Sequence, residues 1–306
     1  MGQLFDHKEI FAFGSGKGGV GKSFLATNVA LVLGRKGRKV LLVDADLGGA
    51  NLHTCLGIPA PEANLSDFIH HNRPIQDTII RTPFENVWLI SGGQDILGIA
   101  NPKHTQKMRL LKALQEVDVE VVLLDLGAGT GHNTLDFFLV ADKGVMVVMP
   151  EPTSVENAYR FIKSALYRRL IVLASDPAVR DLVEKASDRR NDAGIRTPAE
   201  LVEQVVKMDP TTGQMLRDSL KQFRPRIVLN QVRSLADIRI GFAMQAACQK
   251  YFGLEVDFVG YLENDDQVWR SIRTRQPLAA MGGGKLFRSF ETIAFNLLSN
   301  QQLKPE

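Results

Sequence analysis

Cysteine is scarce in this chain: Cys55 and Cys248 are the two in 306 residues. They lie far apart and form no CxxC pair, which excludes a zinc ribbon or a cysteine-held cluster built within one chain. Both read as plain thiols of a reducing compartment. Charge of one sign is also lacking, with a net charge of +3, so bulk electrostatics make no case for nucleic acid. No run approaches the ~18 to 20 apolar residues that span a bilayer. The opening segment MGQLFDHKEI has no apolar stretch behind a basic one, as a secretory leader would. A cytoplasmic protein is expected. Internal repeats and low-complexity tracts are not evident, and an apolar content of 44% is ample for a buried core.

What is present is a glycine-rich decapeptide, GSGKGGVGKS, from Gly14 to Ser23. It follows an apolar run, Ile10 to Phe13, and precedes a helical pattern. Gly16, Gly18, Gly19 and Gly21 let the loop curl and aim successive backbone N–H groups at one anion, with the positive end of the next helix behind them. From Gly16 to Ser23 the spacing is G-x-x-x-x-G-K-[ST], which places Lys22 to reach the β and γ phosphates and the Ser23 hydroxyl to hold Mg²⁺. The expected binding set is Gly16, Gly18, Gly19, Val20, Gly21, Lys22, Ser23 and Phe24, and the expected ligand is a nucleoside triphosphate. Gly14, Gly16 and Gly19 also spell G-x-G-x-x-G, with Asp44 where a dinucleotide ribose would be held. The Lys22-Ser23 pair has no task on a nicotinamide cofactor but a specific one on a triphosphate.

Short apolar runs alternate with longer helical patterns. Strands are expected over Ile10 to Phe13, Val40 to Val43, Val87 to Ile90, Val119 to Leu124, Gly144 to Met149, Arg226 to Leu229 and Val256 to Val259. Helices are expected over Lys22 to Arg35, His104 to Val117, Ser154 to Leu170, Leu235 to Tyr251 and Lys285 to Leu298. Several runs are apolar on both faces, as buried parallel strands are. The order predicts an α/β fold of three layers, a doubly wound and mostly parallel sheet within one domain over 1–306. Residues 175–223 break the rhythm with three helix starts: Asp176-Pro177, Thr197-Pro198 with Glu200 completing a capping box, and Asp209-Pro210. A helical insertion is expected there.

Two more strands end in acids. VLLVDADLGGANL carries Asp44 and Asp46 ahead of Gly48 and Gly49, and VVLLDLGAGTG carries Asp125 ahead of Gly127, Gly129 and Gly131. Phosphoryl transfer to water needs a metal bridging phosphate oxygens, a carboxylate ordering the metal's water shell and an acceptor holding the attacking water. Asp125 suits the metal shell, Asp44 the organisation of the site around Mg²⁺, and Asp46 the water.

The KGGVGKS loop, with Lys17 ahead of Lys22, together with DADLGGANL, LDLGAGTG and PEPTSVENAY, resembles the MinD/ParA class of P-loop ATPases with a deviant phosphate loop, and most of all its FlhG (FleN) branch. The likeness covers most of the chain outside 175–223. It implies ATP and Mg²⁺ as cofactors, slow hydrolysis, and a homodimer formed around ATP in which Lys17 reaches the partner's phosphates. It places Asp46 in the first switch and Asp125 in the second, and it puts Asn230, ending the strand RIVLN, against adenine. The segment YLENDDQVWRSIRTRQPL matches the part that closes over the base, with the usual proline replaced near Asn264. FlhG proteins carry an N-terminal extension with a DQA-type motif; nine residues precede the first expected strand here. The function implied is a switch that controls the placement or number of a cellular structure, a flagellum or division site, through a protein partner, with peripheral attachment at the inner membrane or cell pole left open.

Two other readings are kept. A ParA-like partition ATPase would coat DNA, for which Arg270, Arg273 and Arg275, or Arg168 and Arg169, could line phosphates. A metal-cluster carrier on the same fold would need paired cysteines, which are missing. The last helical pattern, LFRSFETIAFNLL, reads as a core helix rather than a membrane-surface one, because the polar tail SNQQLKPE follows it.

Overall fold

The computed structural model describes residues 8–46, 48–93, 102–188 and 194–304. The strands are β1 (Glu9–Ser15), β2 (Val40–Ala45), β3 (Ile79–Arg81), β4 (Val87–Ile90), β5 (Val121–Ala128), β6 (Lys143–Val148), β7 (Arg226–Val232) and β8 (Asp257–Glu263). Helices α1 (Lys22–Arg35), α2 (Leu52–Cys55), α3 (Leu65–His71), α4 (His104–Glu116), α5 (His132–Val140) and α6 (Pro152–Leu173) lie in the first part of the chain. They are followed by α7 (Pro177–Ser187), α8 (Pro198–Met208), α9 (Pro210–Gln222), α10 (Leu235–Phe252), α11 (Asp266–Thr274), α12 (Leu278–Met281) and α13 (Gly284–Ser299).

All strands join one sheet in the order β3-β4-β2-β5-β1-β6-β7-β8. Every pairing is parallel except β3 with β4. The double-faced apolar runs have the expected cause. Along β5, Val121 and Leu123 enter one core layer while Val122 and Leu124 enter the other, and along β1 Phe11 and Phe13 oppose Ile10 and Ala12 in the same way. One layer is covered by α1, α12 and α13, the other by α4, α5, α6 and α10, so a strand buried on both faces has no polar side to alternate. The short strand β3 escaped the reading because its three residues are half-buried or exposed and carry no period.

Residues 175–223 hold the three expected helices. Asp176, Thr197 and Asp209 each accept backbone N–H bonds at a helix start, and Pro177, Pro198 and Pro210 follow them. One detail differs. Thr197 caps Glu200 N as expected, but the Glu200 carboxylate accepts from Arg196 N at 2.8 Å, one residue before the cap, so the reciprocal box does not close. The buried faces, with Val179, Val183, Leu201, Val205 and Leu216, share the core layer of α6. The final helix α13 is a core element: Phe290, Ile293 and Leu297 are buried against the layer of α1, and Phe24 meets Phe290 edge to face at 5.8 Å. No helix among the described residues is long and apolar enough to cross a membrane.

Candidate functional site

The phosphate loop turns between β1 and α1 at the carboxyl edge of the sheet, where doubly wound folds place their ligands. Two of its glycines are required by geometry. A Cβ at Gly16 would stand 2.2 Å from the Asn157 carbonyl oxygen on α6, and Gly21, at φ +88°, is left-handed with a Cβ position 2.2 Å from Asn230 Nδ2. The loop is thus pressed between α6 on one side and the end of β7 on the other. The Val20 and Phe24 side chains are buried in the core, which leaves only their backbone groups to the loop.

Lys22 Nζ lies 3.2 Å from Asp125 Oδ1, with both side chains withdrawn from solvent. The Ser23 hydroxyl neighbours the same carboxylate and helps to hold its pKa down. Burial pushes the Asp125 carboxyl above its usual range and the Asp46 charge adds to this, against Lys22 and Ser23. Asp44 stands beside Asp125 in register on the adjoining strand. Its burial, reinforced by Asp125, pushes it up to about 7. Three backbone groups oppose that shift: Asn51 N and Leu52 N donate to Oδ2 at 2.8 and 2.9 Å, and Asp46 N donates to Oδ1 at 3.2 Å. Asp44 therefore fastens the start of α2 and the turn before it to the sheet.

Asp46 projects from that turn. Its carboxylate lies against the backbone at Gly49 and at Gly127, where an added side chain would meet it at 3.3 and 3.2 Å. The turn after β2 and the carboxyl end of β5 are thereby brought together. One expectation is corrected: β5 does not end at Asp125 but runs on to Ala128, because β1 carries an irregularity between Phe13 and Ser15 that keeps Ser15 paired with Ala128.

Asn230 and Lys17 are placed in unexpected surroundings. Strand β7 continues past Asn230 to Val232, with Gln231 left-handed at φ +60°. The buried Asn230 amide donates to Val20 O at 2.7 Å and accepts from Gln231 N at 2.9 Å, so in this structure it braces the phosphate loop. Alanine at Asn230 is expected to weaken Mg-ATP binding about tenfold, the worth of one such bond, with the fold retained; calorimetry showing an unchanged Kd would mean that the loop holds its own shape. Lys17 Nζ is tied within its own chain, to Glu151 Oε2 at 3.1 Å and Thr153 Oγ1 at 3.3 Å at the start of α6. Glu151, Thr153 and Asn157 were not singled out from sequence, although all lie within the quoted PEPTSVENAY segment.

Three of the five arginines considered for DNA have side-chain contacts of their own. Arg168 is paired with Asp136, Arg169 donates to Ser219, and Arg273 stacks over Trp269 at 5.1 Å. In the segment expected to close over the base, Asp265 caps α11 by accepting from Gln267 N at 2.8 Å.

A bound Mg²⁺ fits what is here. Among the described residues no three His, Cys, Asp or Glu side chains form a metal cage, so the ion would rest on the Ser23 hydroxyl, phosphate oxygens and water, with the two strand acids behind it. Asp44, whose oxygens already serve three N–H groups, suits that outer position.

Comparison with known proteins agrees with this geometry. Residues 6–173, more than half of the chain, match the family model ParA, described as NUBPL iron-transfer P-loop NTPase. The antiactivator FleN of Pseudomonas aeruginosa is 34% identical over 157 residues, which cover 51% of this chain and 55% of that protein. An uncharacterized ATP-binding protein of Methanocaldococcus jannaschii is 31% identical over 192 residues, 63% of this chain and 70% of that one. The match to FleN thus spans little more than half of that relative's length. Among solved structures, the septum site-determining protein MinD of Pyrococcus horikoshii, complexed with Mg-ADP, superposes with a TM-score of 0.63 over 95% of this chain and 96% of that chain, at 21% identity. On the loop, the paired strand acids and these matches, the chain belongs to the ParA/MinD family of P-loop NTPases.

Proposed function

We propose that the protein is a Mg-ATP-dependent dimerisation switch that hydrolyses ATP slowly and controls the placement or number of a cellular structure, such as a flagellum or division site, through a protein partner. The observation that carries the reading is the cluster of Lys22, Ser23 and Asp125 under a glycine loop, with Asp44 and Asp46 on the neighbouring strand end. Loop N–H groups and the start of α1 would bind the phosphate chain, and Lys22 would exchange Asp125 for β and γ oxygens. Mg²⁺, when bound, would neutralise charge on the terminal phosphoryl group. Asp46, held between Gly49 and Gly127, would orient and activate a water for attack. Lys17, which rests on Glu151, would turn outward to the partner protomer's nucleotide.

Such a switch works by differential binding: ATP favours the dimer, hydrolysis removes the favour, and the partner reads the difference. The test is size-exclusion chromatography of Asp46→Ala with ATP and with ADP. A dimer in ATP and a monomer in ADP is expected; monomers in both would remove the mechanical basis of the reading. Arg168, paired with Asp136, is not free to line DNA phosphates, and on the proposed reading retention on DNA should be the same with and without ATP.

A further inference from the structure

A cavity of about 310 Å³ opens between α4, α5 and α6, on the sheet face away from α1. Its walls are Met108, Leu139, Val140, Val172 and Leu173. Met108 is 47% exposed and Val172 63%, so the apolar lining extends out to a rim that faces water. This volume falls at the small end of the ~300–1,000 Å³ range of small-molecule sites, and the lining is of their kind: mostly apolar, with a few convergent polar groups.

The polar groups are unbalanced. Lys107, Arg168 and Arg169 reach the cavity against one carboxylate, Asp136. Asp136 is fully used: it accepts from Lys107 Nζ at 2.6 Å, from Arg168 Nε at 2.6 Å and from Arg168 Nη2 at 3.1 Å. Arg169, which also lines the neighbouring cavity beside Phe223, has neutral hydrogen-bond and ring partners among the described residues. Its Nε donates to Ser219 Oγ at 2.6 Å and its guanidinium lies 5.9 Å from the Phe223 ring centroid. No carboxylate among the described residues forms an ion pair with it, and burial alone pulls its pKa down. A half-buried guanidinium without a counter-ion is costly, and a ligand that brings one recovers that cost.

We infer that this cavity is a binding site for a carboxylate on an aliphatic chain, of the medium-chain fatty-acid class. The chain replaces water along Met108, Leu139, Val140 and Val172, while the carboxylate meets Arg169 in a charge-assisted, bidentate-capable contact. A neutral apolar molecule would leave Arg169 uncompensated, and an inorganic anion would leave the apolar walls wet.

The test titrates decanoate, below its micelle concentration, into the full chain. Calorimetry should report one saturable site. Arg169→Gln should weaken it at least tenfold and Arg169→Lys less than that. Val172→Glu, a change at an exposed position that cannot unfold the core, should weaken it at least tenfold by blocking the mouth with like charge. Decyltrimethylammonium should not compete. Binding that does not saturate, an affinity within twofold of the parent in both Arg169→Gln and Val172→Glu, or equal competition by the cationic amphiphile would overturn the inference.

Discussion

Replacing Lys22 by alanine is expected to raise the Kd for Mg-ATP by about 100-fold or more and to abolish measurable hydrolysis. The ammonium sits 3.2 Å from a buried carboxylate. Its attraction to a triphosphate therefore acts in a poorly solvated site, where charge-assisted contacts are strong. Loss of one such donor aimed at developing or resident negative charge costs roughly 2.7–4 kcal/mol, or about 100- to 1,000-fold. A second consequence follows from the same pair. Without Lys22, Asp125 loses the partner that best opposes its burial, so its carboxyl rises further and the site takes up a proton instead of a metal-bearing phosphate. Calorimetry of the purified variant reads the first effect directly. Heat on addition of Mg-ATP equal to that of the parent would sink the placement of the nucleotide at this loop.

Much of the scaffold was legible because its physics is local. The loop from Gly14 to Ser23 states its geometry in consecutive residues, and Asp176, Thr197 and Asp209 state three helix starts within four positions each. Strands β1, β2, β5 and β6 were readable from apolar runs that fill two core layers at once. What escaped was non-local. Asn230 braces Val20 across 210 positions, and the Gln231 beside it is left-handed, which no composition announces. Lys17 meets Glu151 across 134 positions. The extent of β5 beyond Asp125 is set by its register with an irregular β1, a property of the pair and not of either strand. The resemblance to MinD/ParA proteins found the acids but not their intrachain partners: the backbone of Asn51 and Leu52 for Asp44, and the glycine backbones around Asp46.

The partners of Asp44 lead to a result that can be measured without any nucleotide. In the folded chain its carboxyl is pushed up to about 7 from the ordinary 3.8, first by burial and then by the Asp125 charge. A raised acid binds its proton more tightly folded than unfolded, so the folded state gains on acidification and loses as pH climbs. The loss begins near the ordinary value, grows through the interval from about 4 to about 7, and is complete above it. Some three pKa units at about 1.4 kcal/mol each give a fall in unfolding free energy of about 4 kcal/mol across that interval. Asp125, displaced in the same direction, steepens it. Asparagine at Asp44 keeps one acceptor for the start of α2 and carries no charge, which also relieves Asp125. Denaturant titrations of the nucleotide-free protein at several pH values should therefore show a steep decline for the parent and a much flatter one for Asp44→Asn, the two curves drawing together toward pH 4. Parallel curves would mean that the carboxylate is ionised throughout, held by its three backbone donors, and that the strand-end acids are poised to receive a cation without first giving up a proton.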